Sequence, residues 1–123
     1  MVTGTVDPFL NAFVRLEFTG ANGVLVGRDM LFDTGFSEYF SLPQDLIDIL
    51  GYPVKSKENV TFSDGIKREV TIYDGRVLWD GQEQAVPIHS LNGDPLLGMS
   101  QVENYLITIP ARVGETVTFA LMP

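Results

Sequence analysis

From Ala12 to Phe18 the chain alternates, with Ala12, Val14, Leu16 and Phe18 on one parity and Phe13, Arg15 and Glu17 on the other. A period of two is that of a strand with one buried face. Thr19-Gly20-Ala21-Asn22-Gly23 then predicts a turn, and Val24–Val26 and Met30–Phe32 read as strand pieces. A helix is expected from Pro43 to Leu50: proline opens it, Leu46, Ile49 and Leu50 share a face, and Gly51 stops it. Short strands follow at Val60–Phe62, Glu69–Ile72, Arg76–Asp80 and Gln84–Ile88, punctuated by Asp64-Gly65, Asp74-Gly75, Asp80-Gly81 and Asn92-Gly93. Ser100–Asn104 predicts one helical turn, and Leu106–Ile109 and Thr116–Leu121 close the chain as strands on either side of Gly114. The pattern predicts a mostly β domain, a small closed barrel with one or two short helices, spanning residues 1–123.

Composition narrows the partners. An apolar content of 45% with 20% charged residues is that of a chain able to bury a core. Sixteen acids against eight bases give a net charge of −8, which repels phosphate backbones, so nucleic acid is not expected as a ligand. An acidic cleft would instead draw basic polypeptides. With no cysteine there is no disulfide, thiolate site or thiol nucleophile. No apolar run is long enough to span a bilayer, and Met1–Asp7 carries no leader pattern, so no membrane association and a cytoplasmic location are expected. The lone His89 lacks partners for a metal site and reads as a solvated or locally bonded side chain, while Trp79 reads as a packing residue. The Asp45 and Asp48 pair reads as a solvated helix face, and Ser37 and Ser63 have no histidine-acid partnership for serine catalysis.

The chemistry concentrates at Asp33. A short apolar segment, Met30-Leu31-Phe32, runs directly into Asp33-Thr34-Gly35-Phe36-Ser37. A carboxylate at the end of a buried strand is costly to ionise without compensation, so its placement calls for a reason. Downstream come Leu42-Pro43, a hairpin candidate at Val60-Thr61-Phe62-Ser63-Asp64-Gly65-Ile66, and the string Asp94-Pro95-Leu96-Leu97-Gly98-Met99. In order and spacing these segments resemble the retropepsin-like (retroviral-type) aspartic proteases, closest to small prokaryotic single-domain members, over about Gly4 to Phe119.

The resemblance implies an acid-protease barrel and peptide hydrolysis by two aspartates that share one proton, with no cofactor and no metal. The chain holds a single Asp-Thr-Gly, so the pair must come from two chains, one Asp33 from each subunit of a homodimer. Thr34 would then bond across the dimer axis, Gly35 would allow close backbone approach, and Ser37 would support the catalytic loop. Residues Phe62, Ser63, Asp64, Gly65 and Ile66 would form a flap over an extended peptide, and Leu96, Leu97 and Gly98 would support the loop and its pockets. Two positions depart from the retroviral pattern. Ser37 stands where retroviral members carry an acid, and Met99 where they carry an arginine, so the buttressing ion pair is absent at both ends and a differently braced site is expected. By the same resemblance, Thr116–Leu121 is a candidate for an interfacial sheet between subunits. Two other readings stay open: a retropepsin-like dimerisation or peptide-binding module with negligible hydrolysis, and an unrelated small barrel with a chance tripeptide.

Overall fold

The computed structural model describes residues 1–123. Its strands are β1 (Val2–Val6), β2 (Ala12–Thr19), β3 (Leu25–Phe32), β4 (Phe40–Leu42), β5 (Val54–Thr61), β6 (Lys67–Trp79), β7 (Gln82–Ser90), β8 (Leu96–Leu97), β9 (Tyr105–Thr108) and β10 (Thr116–Leu121). One helix, α1 (Gln44–Leu50), and a 3-10 turn at Met99–Val102 complete it. The sheet runs β5-β6-β7-β4-β8-β3-β2-β1-β10-β9, and β2 also pairs with β6. That extra pairing, Glu17 opposite Leu78 and Phe18 opposite Val77, closes six strands into a barrel. The mostly β, closed-barrel expectation therefore holds. No helix is long and apolar enough to cross a membrane.

Strand alternation builds the interior. Along β2 the residues Ala12, Val14, Leu16 and Phe18 are buried, as their parity requires. They join a cluster of 22 buried residues in which Phe18 meets Phe40 edge-on at 5.5 Å and Phe32 meets Phe119 edge-on at 5.4 Å. Each such side chain contributes about 1.5–3 kcal/mol on burial. Trp79 packs in the same cluster, as expected.

Several boundaries differ from the pattern reading. Helix α1 buries Leu46, Ile47 and Leu50 and leaves Ile49 exposed. Both triads span an arc of about 100° at 3.6 residues per turn, so periodicity alone does not choose between them. Asp74-Gly75 is not a turn. Strand β6 runs straight through it, with Asp74 opposite Pro87 and Gly75 opposite Val86. The glycine is there for space: a Cβ would lie 2.4 Å from Ile88 Cγ1 and 2.9 Å from Tyr52 Cε2. Strand β5 starts well before Val60, because its hairpin with β6 projects from the barrel and leaves Lys55, Lys57, Glu58 and Asn59 exposed, which hides the alternation. Strands β1 and β4 were not expected either. Strand β10, the candidate for an interfacial sheet, lies between β1 and β9 of its own chain, with both edges paired at Thr118 and Phe119.

Candidate active site

Asp33 follows β3 directly. Parallel pairing of Leu31 with Leu96 and Phe32 with Leu97 fixes the strand end, and the Asp33 amide donates to the Leu97 carbonyl at 3.0 Å. The Asp33 carboxylate accepts from the Gly35 amide through Oδ1 at 2.8 Å, and the Phe36 amide donates to the Asp33 carbonyl at 3.1 Å. One carboxylate oxygen is thus held by the loop's own backbone. Thr34 and Gly35 are exposed beside it.

A second set of bonds ties this loop to the segment after β8. Amides of Gly98, Met99 and Ser100 donate to the carbonyls of Tyr39 (2.8 Å), Phe36 (2.9 Å) and Glu38 (3.2 Å). The Ser100 hydroxyl donates to the Ser37 carbonyl, and the Leu96 amide donates to Ser41 Oγ at 3.1 Å. This neutral bracing stands where an ion pair would bridge residues 37 and 99. It also explains Gly98, whose backbone is ordinary (φ −98°) but whose added Cβ would fall 2.0 Å from the Glu38 carbonyl oxygen. Two backbones meet there with no room for a side chain.

The expected hairpin is formed. Between β5 and β6 the tip closes with the Phe62 amide on the Ile66 carbonyl (3.1 Å) and the Gly65 amide on the Phe62 carbonyl (2.9 Å). Asp64 accepts from the Ile66 amide at 2.9 Å and pairs with Arg68 at 2.8 Å. The Arg68 bond, then the amide, hold its carboxyl below the usual carboxylate range. The Arg68 guanidinium lies 4.7 Å over the Phe62 ring.

A cavity of about 360 Å³ lies between this hairpin and the Asp33 loop. Of the residues singled out in sequence, Asp33, Gly35, Ser37, Phe62, Ser63 and Leu96 line it. Thr34, Asp64, Gly65 and Ile66 do not, and Leu97 and Gly98 are buried behind the loop. The structure adds Phe36, Glu38, Val60, Thr61, His89 and Leu91 to the lining.

His89 is the main surprise. It is 3% exposed rather than solvated, and neither ring nitrogen has a hydrogen-bond partner. Val86 and Ile88 enter the main core from β7, so alternation puts His89 on the opposite face, edge-on to Phe36 at 5.8 Å. Burial lowers its basicity, and the Glu38 and Glu58 carboxylates offset this only in part. The parity of β7 carried this signal. No group of three or more His, Cys, Asp or Glu side chains is placed to hold a metal ion.

No family model matches the sequence, and no curated protein matches it. In architecture the chain is similar to the crystal structure of a retropepsin-like aspartic protease from Rickettsia conorii, with a TM-score of 0.57 and 17% identity over 97% of this chain and 90% of that one. The fold is thus retropepsin-like.

Proposed function

We propose that residues 1–123 form one retropepsin-like domain acting as a homodimeric aspartic endopeptidase, with one Asp33 from each subunit. The observation that carries this reading is the shared cavity. Asp33 and the flap hairpin line one cleft, while the fold is that of a solved aspartic protease. An extended peptide laid in this cleft presents alternate side chains to its walls. Two carboxylates a few ångströms apart hold one proton between them. The ionised one takes a proton from water as the water oxygen attacks the scissile carbonyl carbon. The protonated one gives its proton to the carbonyl oxygen; the first then passes its new proton to the amide nitrogen as the C–N bond breaks, and the second recovers a proton from the collapsing diol. Thr34 supports the dimeric reading, because its side chain is exposed next to Asp33 and is engaged in no hydrogen bond within the chain. Peptide bonds flanked by apolar residues are the expected substrates, and no cofactor or metal is needed.

The test is cleavage of a diverse peptide mixture from pH 3 to 7 by the wild type and by Asp33→Asn. Asparagine keeps the shape but cannot share the proton. Cleavage confined to the wild type supports the proposal. A wild type that dimerises and binds peptides without cutting them points instead to a peptide-binding module.

A further inference from the structure

An unpaired imidazole shut inside a protein is unfavourable relative to a satisfied one. His89 has no partner in the chain, although its neighbours across the ladder are close. Opposite it stand Ile72 on β6, which is apolar, and Ser41 on β4, whose hydroxyl already accepts from the Leu96 amide. His89 is among the residues that line the same cavity as Asp33 and the Phe62–Ser63 hairpin, with both ring nitrogens buried.

Glu38 lines that cavity too, and its carboxylate takes part in none of the chain's ion pairs. It is the charge acting most strongly on the His89 ring. Phe36, Val60, Phe62 and Leu91 line the same cavity. The cavity therefore combines apolar walls with an unpaired carboxylate and a buried imidazole without a partner. Phe36, edge-on to that imidazole, is half-buried and lies outside the main core cluster.

We propose that Glu38 and His89 form a subsite for a basic side chain of the bound peptide, lysine above all. The aliphatic stem lies along Phe36, Val60, Phe62 and Leu91. The ammonium donates one hydrogen bond to the Glu38 carboxylate and one to an imidazole nitrogen of His89, whose polar group gains the partner it lacks. The apolar stem suits a norleucine as well as a lysine, so selectivity resides in the head group. The net charge of −8 adds attraction for such peptides at long range.

This subsite rests on the cleft proposed above as the peptide site, and the test separates the two. A peptide that the wild type cleaves is resynthesised with lysine or with norleucine at each position around the scissile bond, and kcat/KM is compared. The same pairs are titrated calorimetrically onto Asp33→Asn, which reports binding without hydrolysis. At one position lysine is favoured about 10-fold, the value of one charge-assisted hydrogen bond of about 1.5 kcal/mol. Glu38→Gln brings this ratio close to one, and His89→Leu lowers it part of the way. Glu17→Gln changes the net charge equally on an exposed strand face and leaves the ratio intact. Cleavage with no lysine preference at any position, or a preference that survives Glu38→Gln, overturns the subsite while the endopeptidase reading stands. If the wild type cleaves no peptide, lysine-selective binding of the same kind of pairs to the wild type keeps the subsite and overturns the endopeptidase reading.

Discussion

Replacing Gly98 by alanine isolates the packing that positions Asp33. The backbone angles at Gly98 suit any residue, so the effect is purely one of space. The new Cβ would lie 2.0 Å from the Glu38 carbonyl oxygen, 2.7 Å from Phe36 Cδ2 and 2.8 Å from the Glu38 carbonyl carbon. Two of these atoms are backbone, the Glu38 carbonyl that accepts from the Ser100 amide, and the Gly98 and Met99 amides hold its neighbours Tyr39 and Phe36, so no rotamer change relieves them. Separating the segments by more than an ångström strains those bonds and the Asp33–Leu97 bond. A cost of about 3 kcal/mol or more is expected, the upper end for overpacking. At about 2.1 cal/mol/K of unfolding entropy per residue, each kcal/mol lowers Tm by about 4 °C in a chain of this size. Gly98→Ala should therefore melt about 12 °C below the wild type by scanning calorimetry. Gly81→Ala is the comparison, because Gly81 has φ +82° but nothing within 4 Å of an added Cβ. Its cost is the left-handed penalty alone, about 1–2 kcal/mol, or about 4–8 °C. If Gly98→Ala melts no lower than Gly81→Ala, the close approach of residues 38 and 98 is refuted.

Other outcomes follow from the same contacts. His89→Leu removes an unpaired buried polar group and should raise stability at pH 7 by about 1–3 kcal/mol in denaturant titration. Burial depresses the folded-state basicity of His89, so the unfolded chain binds its proton first. Wild-type stability should then fall as pH drops below about 6.5, by up to about 1.4 kcal/mol per pH unit, despite the partial offset from Glu38 and Glu58. His89→Leu should remove that slope, and an unchanged slope would assign it to other groups. Asp64→Ala deletes the acceptor for Ile66 and Arg68 at the tip of the β5–β6 hairpin. Amide exchange at Ile66 should quicken severalfold, and equal protection in both proteins would contradict the Asp64 cap on the hairpin tip. Thr34→Val should weaken the proposed dimer about 30-fold in sedimentation equilibrium, from two symmetric hydrogen bonds of about 1 kcal/mol each. An unchanged dissociation constant removes Thr34 from the interface.

Where one strand face is buried and the other solvated, the sequence announced the structure. The alternation in β2 is such a case, as are the two-residue turn at Asp80-Gly81 and the stop of α1 at Gly51. The loop at Asp33, the hairpin above it and the supporting Leu96-Leu97 were likewise legible as segments. Legibility failed where local signals are ambiguous. An Asp-Gly pair spells a turn but also serves a crowded strand, as at Asp74-Gly75. Ile47 and Ile49 are equivalent by helical period, and only the barrel decides which is covered. His89 was misjudged because a lone histidine is usually solvated. Its burial depends on Phe36 and on the strands either side of β7, contacts far away in sequence. Glu38 carried no local signal, since its place in the cleft comes from the loop bonds to residues 98–100.

The central claim is that one active site needs Asp33 from two chains. Mixing wild type with Asp33→Asn at constant total concentration, after subunit exchange, tests it most directly. If both carboxylates are required, peptidase activity falls as the square of the wild-type fraction, to about a quarter at an equal mixture. A linear decline, to about half, would mean that each chain cleaves by itself and would contradict the shared pair.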